Sequence, residues 1–240
     1  MKKKVLKYIL IGFIFLIFIF LIYLIWYLND YYKATEEVNK YLISNENVKV
    51  TLEDNIYFFD GYGKKNAIIF YQGGKVENTS YAPLLYKLAE NGTDCFLVNM
   101  PFRLAILDKN KASSVIYSNY KYENWYLMGH SLGGAVASMY TASHEDKITG
   151  LILLAAYPTS KINNSIKLLS IYGSNDGVLN IKKYNDSKKY WNEDTTEYII
   201  NGGNHANFGY YGEQSGDNKS VISREEQQQL TIEKIIEFIN

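Results

Sequence analysis

The pattern of apolar and polar positions changes twice along the chain. From Tyr8 to Leu28 the residues "YILIGFIFLIFIFLIYLIWYL" run without a charge, and about 20 consecutive apolar residues suffice to cross the hydrocarbon layer as a helix. The next stretch, "YYKATEEVNKYLISNENV", reads as a short polar helix or stalk. From Val48 onward, short apolar runs alternate with helical patterns. "NVKVTLEDNIYFFDG" predicts a hairpin or a pair of edge strands turning at Asp54-Asn55. "NAIIFYQGG" predicts a buried strand ended by glycines, and "SYAPLLYKLAENG" sets Leu84, Leu85 and Leu88 at helical spacing before a stop at Gly92.

The alternation continues through strand "DCFLVNM", a weakly patterned helix around Ala112 to Tyr120, strand "NWYLMG" and helix "GGAVASMYTAS". Strands "ITGLILLAA" and "IKLLSIYG", a helix near Ile181 to Trp191 and strand "TEYII" come next. The last helix opens with Ser223 and Glu226 in capping-box spacing. Strands that are continuously apolar and separated by helices predict an α/β fold, a mostly parallel sheet covered by helices on both faces. The expected organisation is a cytoplasmic tip and transmembrane anchor over 1–29, a stalk over 30–47 and a catalytic domain over 48–240.

The apolar run has a competing reading as a cleaved signal peptide. Such a peptide has an apolar core of about 7–15 residues closed by small residues, whereas this run is longer and exits through "WYLNDYYK". An uncleaved single-pass anchor is therefore expected. Lys2, Lys3, Lys4 and Lys7 precede it and Asp30, Glu36 and Glu37 follow, which keeps the N-terminus cytoplasmic and the catalytic domain extracytoplasmic. Trp26, Tyr27, Tyr31 and Tyr32 suit an aromatic belt at the outer interface. Removing the four leading lysines from 25 basic residues leaves 21 against 25 acidic ones, a balance that argues against nucleic acid as a partner. The single cysteine, Cys95, permits no intramolecular disulfide.

The chemistry centres on "YLMGHSLGGAVA". Gly129-His130-Ser131-Leu132-Gly133 is a G-x-S-x-G pattern that follows a predicted strand and opens a predicted helix, the setting of a nucleophile elbow. A serine hydroxyl needs a base to take its proton. Of three histidines, His130 adjoins the serine and reads as packing beside the site, and His144 lies in the polar stretch "SHEDK" and reads as solvated. His205, in "IINGGNHANFGYYG" beyond the last strand, is the expected general base and acid. Asp176, in "SIYGSNDGVL", gives the order Ser, Asp, His; Asn-Asp-Gly is also good turn chemistry, and one loop can serve both roles. For the oxyanion, the backbone N–H of Leu132 is one expected donor. The other is Gly74 or Lys75 in the Gly73-Gly74-Lys75 loop. No H-E-x-x-H or cysteine-histidine cluster suggests a metal, and no cofactor is required.

Together, "YQGGKVENTSYAPLLYKLAENG", "GHSLGG", "YGSNDGV" and "GGNHANFGYYG" resemble the α/β-hydrolase superfamily, in particular its small lidless bacterial members related to dienelactone hydrolases. The resemblance spans Asn66 to the C-terminus. It implies a Ser131, Asp176, His205 triad with "GGK" contributing to the oxyanion hole. Dienelactone hydrolases use a cysteine where this chain has Ser131, so their substrate does not carry over, and the fold hosts many chemistries. Only "YPTSKINNSIK" joins "LILLAA" to "LLSIYG", too short for a cap domain, so a shallow, open pocket for small or exposed acyl groups is expected. "GYYGEQSGDNKS" reads as a flexible aromatic loop bordering the site or as a solvated surface loop. The expected function is a membrane-anchored serine hydrolase acting on a small-molecule ester or related acyl substrate. The competing readings are a non-catalytic surface binding module and an acyltransferase using the same residues. The sequence leaves the oligomeric state open.

Overall fold

The computed structural model describes residues 2–61, 63, 65–119 and 121–240. It divides into two units, Met1–Tyr31 and Tyr32–Asn240; Met1, and Tyr120 at the end of the weakly patterned helix, lie outside the described residues. The first unit is one helix, α1, Lys2–Asn29. Its 26-residue portion Lys4–Asn29 holds an 18-residue window with a mean hydropathy of 3.1, and is long and apolar enough to cross a membrane.

The second unit is built on one eight-stranded sheet. Its strands are β1 Lys49–Glu53, β2 Ile56–Asp60, β3 Asn66–Tyr71, β4 Asp94–Val98, β5 Asn124–His130, β6 Gly150–Leu154, β7 Lys167–Gly173 and β8 Thr195–Ile200. They lie in the order β1-β2-β4-β3-β5-β6-β7-β8. β1 and β2 pair antiparallel across Asp54 and Asn55, whose φ values of 51° and 60° are those of a two-residue hairpin turn. From β4 to β8 every pairing is parallel, so the C-terminal ends of these strands share one edge.

The helices are α2 Ala82–Glu90, α3 Lys111–Ser118, α4 Leu132–Ser143, α5 Ile181–Ser187 and α6 Arg224–Ile239. Alternation along the strands divides the core in two. Ile68, Phe70, Met128 and Ile152 pack with Leu84 and Leu88 of α2 and Ile232 and Ile235 of α6. Ala67, Ile69, Leu127 and Leu151 pack with Val115 of α3 and Val136, Ala137 and Tyr140 of α4. Each strand residue thus serves one face or the other, as a period of two requires. The Ser223 hydroxyl caps α6 by accepting from Glu226 N–H at 3.0 Å.

Residues 32–47, expected as a stalk, belong to the second unit. Tyr32 N–H donates to Lys75 O at 2.8 Å, Glu77 N–H donates to Tyr32 O at 2.9 Å, and Val38 is buried. An apolar side chain and a strand-like backbone segment gain more from such packing than from water, which a polar composition alone does not reveal. Tyr32, expected in an interfacial belt, instead packs its ring 5.7 Å from that of Tyr211 and accepts Ser215 N–H on its hydroxyl at 3.0 Å.

Candidate active site

Four loops leave the shared edge of the sheet carrying the residues singled out by the sequence: Gly73-Gly74-Lys75 after β3, Ser131 after β5, Asp176 after β7 and His205 after β8. Parallel pairing is what brings segments so distant in sequence to one edge.

Ser131 stands between β5 and α4 with φ 52° and ψ −121°, a left-handed conformation that costs a non-glycine residue about 1–3 kcal/mol. Its N–H donates to Leu154 O at 2.9 Å, and its carbonyl accepts Ala135 N–H at 3.1 Å. The flanking glycines are required by space. A Cβ on Gly129 would lie 2.5 Å from Gly133 C, and one on Gly133 would run into the carbonyl oxygens of Tyr71 and Gln72. Ser131 precedes the first residue of α4, where free N–H groups and the helix dipole favour negative charge.

Asp176 and His205 meet. His205 Nδ1 is 2.8 Å from Asp176 Oδ2, with both side chains withdrawn from solvent. The other carboxylate oxygen, Oδ1, accepts Val178 N–H at 2.8 Å and Leu179 N–H at 2.7 Å. Asp176 therefore closes its own turn while holding the imidazole. His205 Nε2 is buried and has no hydrogen-bond partner, so the Ser131 hydroxyl is not bonded to it in this state. In enzymes such bonds are often long before substrate arrives.

His130, expected to pack beside the site, is fully buried with its ring 4.5 Å from that of His205. Its Nδ1 lies 2.8 Å from the Tyr81 hydroxyl, which in turn accepts Gly73 N–H at 3.2 Å. Which of the two donates depends on the His130 tautomer. Burial holds the His130 pKa well below the usual histidine value, the His205 side chain adds to this, and the His205 backbone opposes it.

In the Gly73-Gly74-Lys75 loop the backbone N–H groups differ in their partners. Lys75 N–H donates to Arg103 O at 3.0 Å, and Gly73 N–H goes to Tyr81. Neither is free. No acceptor within the described residues takes Gly74 N–H, and a Cβ on Gly74 would lie 3.0 Å from Leu132 Cδ2. The loop thus rests directly against the residue that follows Ser131.

Asp217 was not read from the sequence. Its Oδ1 accepts Gly177 N–H and its Oδ2 accepts Ala206 N–H, both at 2.9 Å, so one carboxylate ties the residue after Asp176 to the residue after His205. Gln227 of α6 adds a reciprocal pair with the Asn204 backbone at 2.9 and 2.8 Å. The loop "GYYGEQSGDNKS" is packed at its start, where Tyr210 and Tyr211 are buried, and solvated further on, where Glu213, Ser215, Gly216, Asn218 and Lys219 are exposed. His144 is half-buried instead of solvated: its ring stacks on Tyr140 at 4.1 Å, and its Nδ1 lies 3.0 Å from Tyr140 O, at the end of α4 away from Ser131.

Between Leu154 and Lys167 the described residues form no helix or strand, so no cap stands there. Ser131 is nevertheless half-buried, and surface hollows of about 490, 380 and 470 Å³ are lined by other residues. Among the described residues no group of three or more His, Cys, Asp or Glu side chains is arranged to hold a metal ion.

The sequence matches the model of a family described as the alpha/beta hydrolase family over residues 67–229, more than half of its length. The chain belongs to that family. The hydrolase resembles the crystal structure of a monoacylglycerol lipase from Paleococcus ferrophilus with a TM-score of 0.60 at 13% identity, covering 79% of this chain and 99% of that one. It resembles a dienelactone hydrolase from Anabaena variabilis with a TM-score of 0.57 at 13% identity over 80% and 99% of the two chains. For Est1E from Butyrivibrio proteoclasticus the values are 0.53, 13%, 81% and 99%. At such identities the likeness concerns the fold. A search of curated proteins found no match.

Proposed function

We propose that this hydrolase is a membrane-anchored serine enzyme that cleaves carboxylic esters through an acyl-serine intermediate, with α1 as the anchor and an extracytoplasmic catalytic domain. The observation that carries the reading is the buried Asp176–His205 pair at 2.8 Å, whose free Nε2 belongs to a ring held beside the strained Ser131 elbow. In the proposed cycle Ser131 Oγ attacks the ester carbonyl while His205 takes its proton, and Asp176 steadies the imidazolium. The tetrahedral oxyanion accepts from Leu132 N–H and Gly74 N–H. His205 then protonates the departing alcohol, and a water activated by the same imidazole releases the acid.

The test uses the full chain in detergent beside Ser131→Ala, with fluorophosphonate labelling and turnover of a short-chain aryl ester. Both signals are expected to disappear in the variant, turnover falling by as much as about a million-fold. A folded wild-type chain that neither labels nor turns over ester would overturn the reading and favour a binding module.

A further inference from the structure

The segment after β4, "PFRLAILD", exposes three large apolar side chains within six residues: Phe102 at 57%, Ile106 at 50% and Leu107 at 55%. Elsewhere in the described residues of the second unit, such side chains are exposed one at a time along the sequence. Clustered exposure costs solubility and marks a surface that meets something.

The exposure is built in, because the segment is pinned at both ends. Met100 and Ala105 are buried, and Met100 N–H donates to Gln72 Oε1 at 3.0 Å. The Tyr71 hydroxyl donates to Lys109 O at 2.9 Å and accepts Ala112 N–H at 2.8 Å. Phe102 and Arg103 are both left-handed, with φ 51° and 60°. Such backbone costs about 1–3 kcal/mol per residue and persists where the surroundings over-determine it.

The position identifies the occupant. Lys75 bonds Arg103 through its N–H and Tyr32 through its carbonyl, so Lys75 lies between the apolar segment and the start of the second unit, two backbone spacings or about 10 Å in all. Only Asp30 and Tyr31 separate Tyr32 from Asn29, the last residue of α1, a contour of about 10 Å. A short tether from an apolar helix therefore enters the unit beside this patch, and Lys75 itself follows Gly74 of the oxyanion loop. Arg103, Lys109, Lys111 and Lys75 against Asp108 and Asp54 leave the surroundings mildly basic, at 4 − 2 = +2, a charge that suits an anionic lipid surface beside the apolar contact.

We propose that Phe102, Ile106 and Leu107 form a membrane-contact surface that seats the Ser131 site on the bilayer carrying α1, and that the esters it meets are acyl esters of lipids in that bilayer. The substrate class rests on the serine-hydrolase reading; the contact surface does not.

The full chain is reconstituted in phosphatidylcholine–phosphatidylglycerol vesicles with a thiol-linked NBD label at Phe102→Cys, Ile106→Cys or, at the opposite edge of the sheet, Glu123→Cys. The native Cys95 is buried and does not compete. The expected result is a shift to shorter wavelength with quenching by doxyl lipids at 102 and 106 and neither at 123. Emission as in water at 102 and 106, or equal quenching at all three positions, overturns the surface. Beside this, Phe102→Asn, Ile106→Ser and Leu107→Ser are combined, and turnover of vesicle-dissolved methylumbelliferyl oleate is compared with that of soluble methylumbelliferyl acetate. The oleate-to-acetate ratio is expected to fall about tenfold, and an unchanged ratio overturns the substrate class. Labels that dock in a chain hydrolysing neither ester uphold the surface and strike the hydrolase reading instead.

Discussion

The Tyr81 hydroxyl accepts the backbone N–H of Gly73 at 3.2 Å and lies 2.8 Å from His130 Nδ1. It links the Gly73-Gly74-Lys75 loop to the residue before the candidate nucleophile, deep enough that burial pushes the phenol pKa well up. Tyr81→Phe strands the buried Gly73 N–H and the buried His130 Nδ1, at about 1–3 kcal/mol each. We expect a lower unfolding free energy in urea and reduced ester turnover, with Tyr81→Phe affecting kcat more than KM because the loop it holds acts on the transition state.

Asp176 separates two roles by oxygen. Asp176→Asn can keep the acceptor for Val178 and Leu179 N–H while presenting an amide to His205. The wrong imidazole tautomer then costs on the order of 10⁴ in kcat with little loss of stability. Asp176→Ala loses the turn as well, and should unfold about 1–2 kcal/mol sooner in addition to being inactive. Equal stability of the two variants would contradict this division.

Asp217 holds Gly177 and Ala206 with one carboxylate. Asp217→Ala is expected to lower kcat about tenfold while leaving fluorophosphonate labelling detectable, because it loosens the spacing of Asp176 and His205 without removing either. Labelling abolished as in Ser131→Ala would place Asp217 in the chemistry itself.

His130 gives stability a pH dependence. The unfolded chain binds a proton at this residue near pH 6.5, whereas the folded chain resists it to lower pH because burial disfavours the imidazolium. Its contribution is complete above about pH 6.5 and is lost as pH falls towards the folded value, at up to about 1.4 kcal/mol per pH unit. Asp94 works in the opposite sense, because burial raises its carboxyl pKa. The comparison is therefore with His130→Gln: between about pH 7 and pH 5 the wild type should lose stability more steeply. Parallel urea-midpoint profiles would refute this.

The start of the second unit sets a truncation limit. A chain beginning at Tyr32 keeps the bonds to Lys75 and Glu77 and the buried Val38, whereas one beginning at Val48 loses them. The shorter form should be less stable by about 3 kcal/mol or more, with lower turnover because the oxyanion loop loses its neighbour. Calorimetry and aryl-ester assays on the two forms would measure both effects.

The local pattern determined the strands, the helices and the turn at Asp54-Asn55, because periodicity, glycines and caps act within a few residues. It also brought Ser131, Asp176 and His205 forward, since a G-x-S-x-G turn and two polar loops after apolar strands are local features. It carried no sign of Tyr81, Asp217 or the strap at Tyr32. Their partners lie 8 and 49, 11 and 40, and 43 residues away or more, and only parallel packing at one sheet edge brings them together. Which N–H of the Gly73-Gly74-Lys75 loop is already paired was likewise tertiary: a carbonyl from the loop after the neighbouring strand, Arg103 O, takes that of Lys75. Sequence declares which groups a chain possesses, but which of those groups remain unpaired is decided only when distant backbone meets, because each buried donor seeks whatever acceptor the fold delivers.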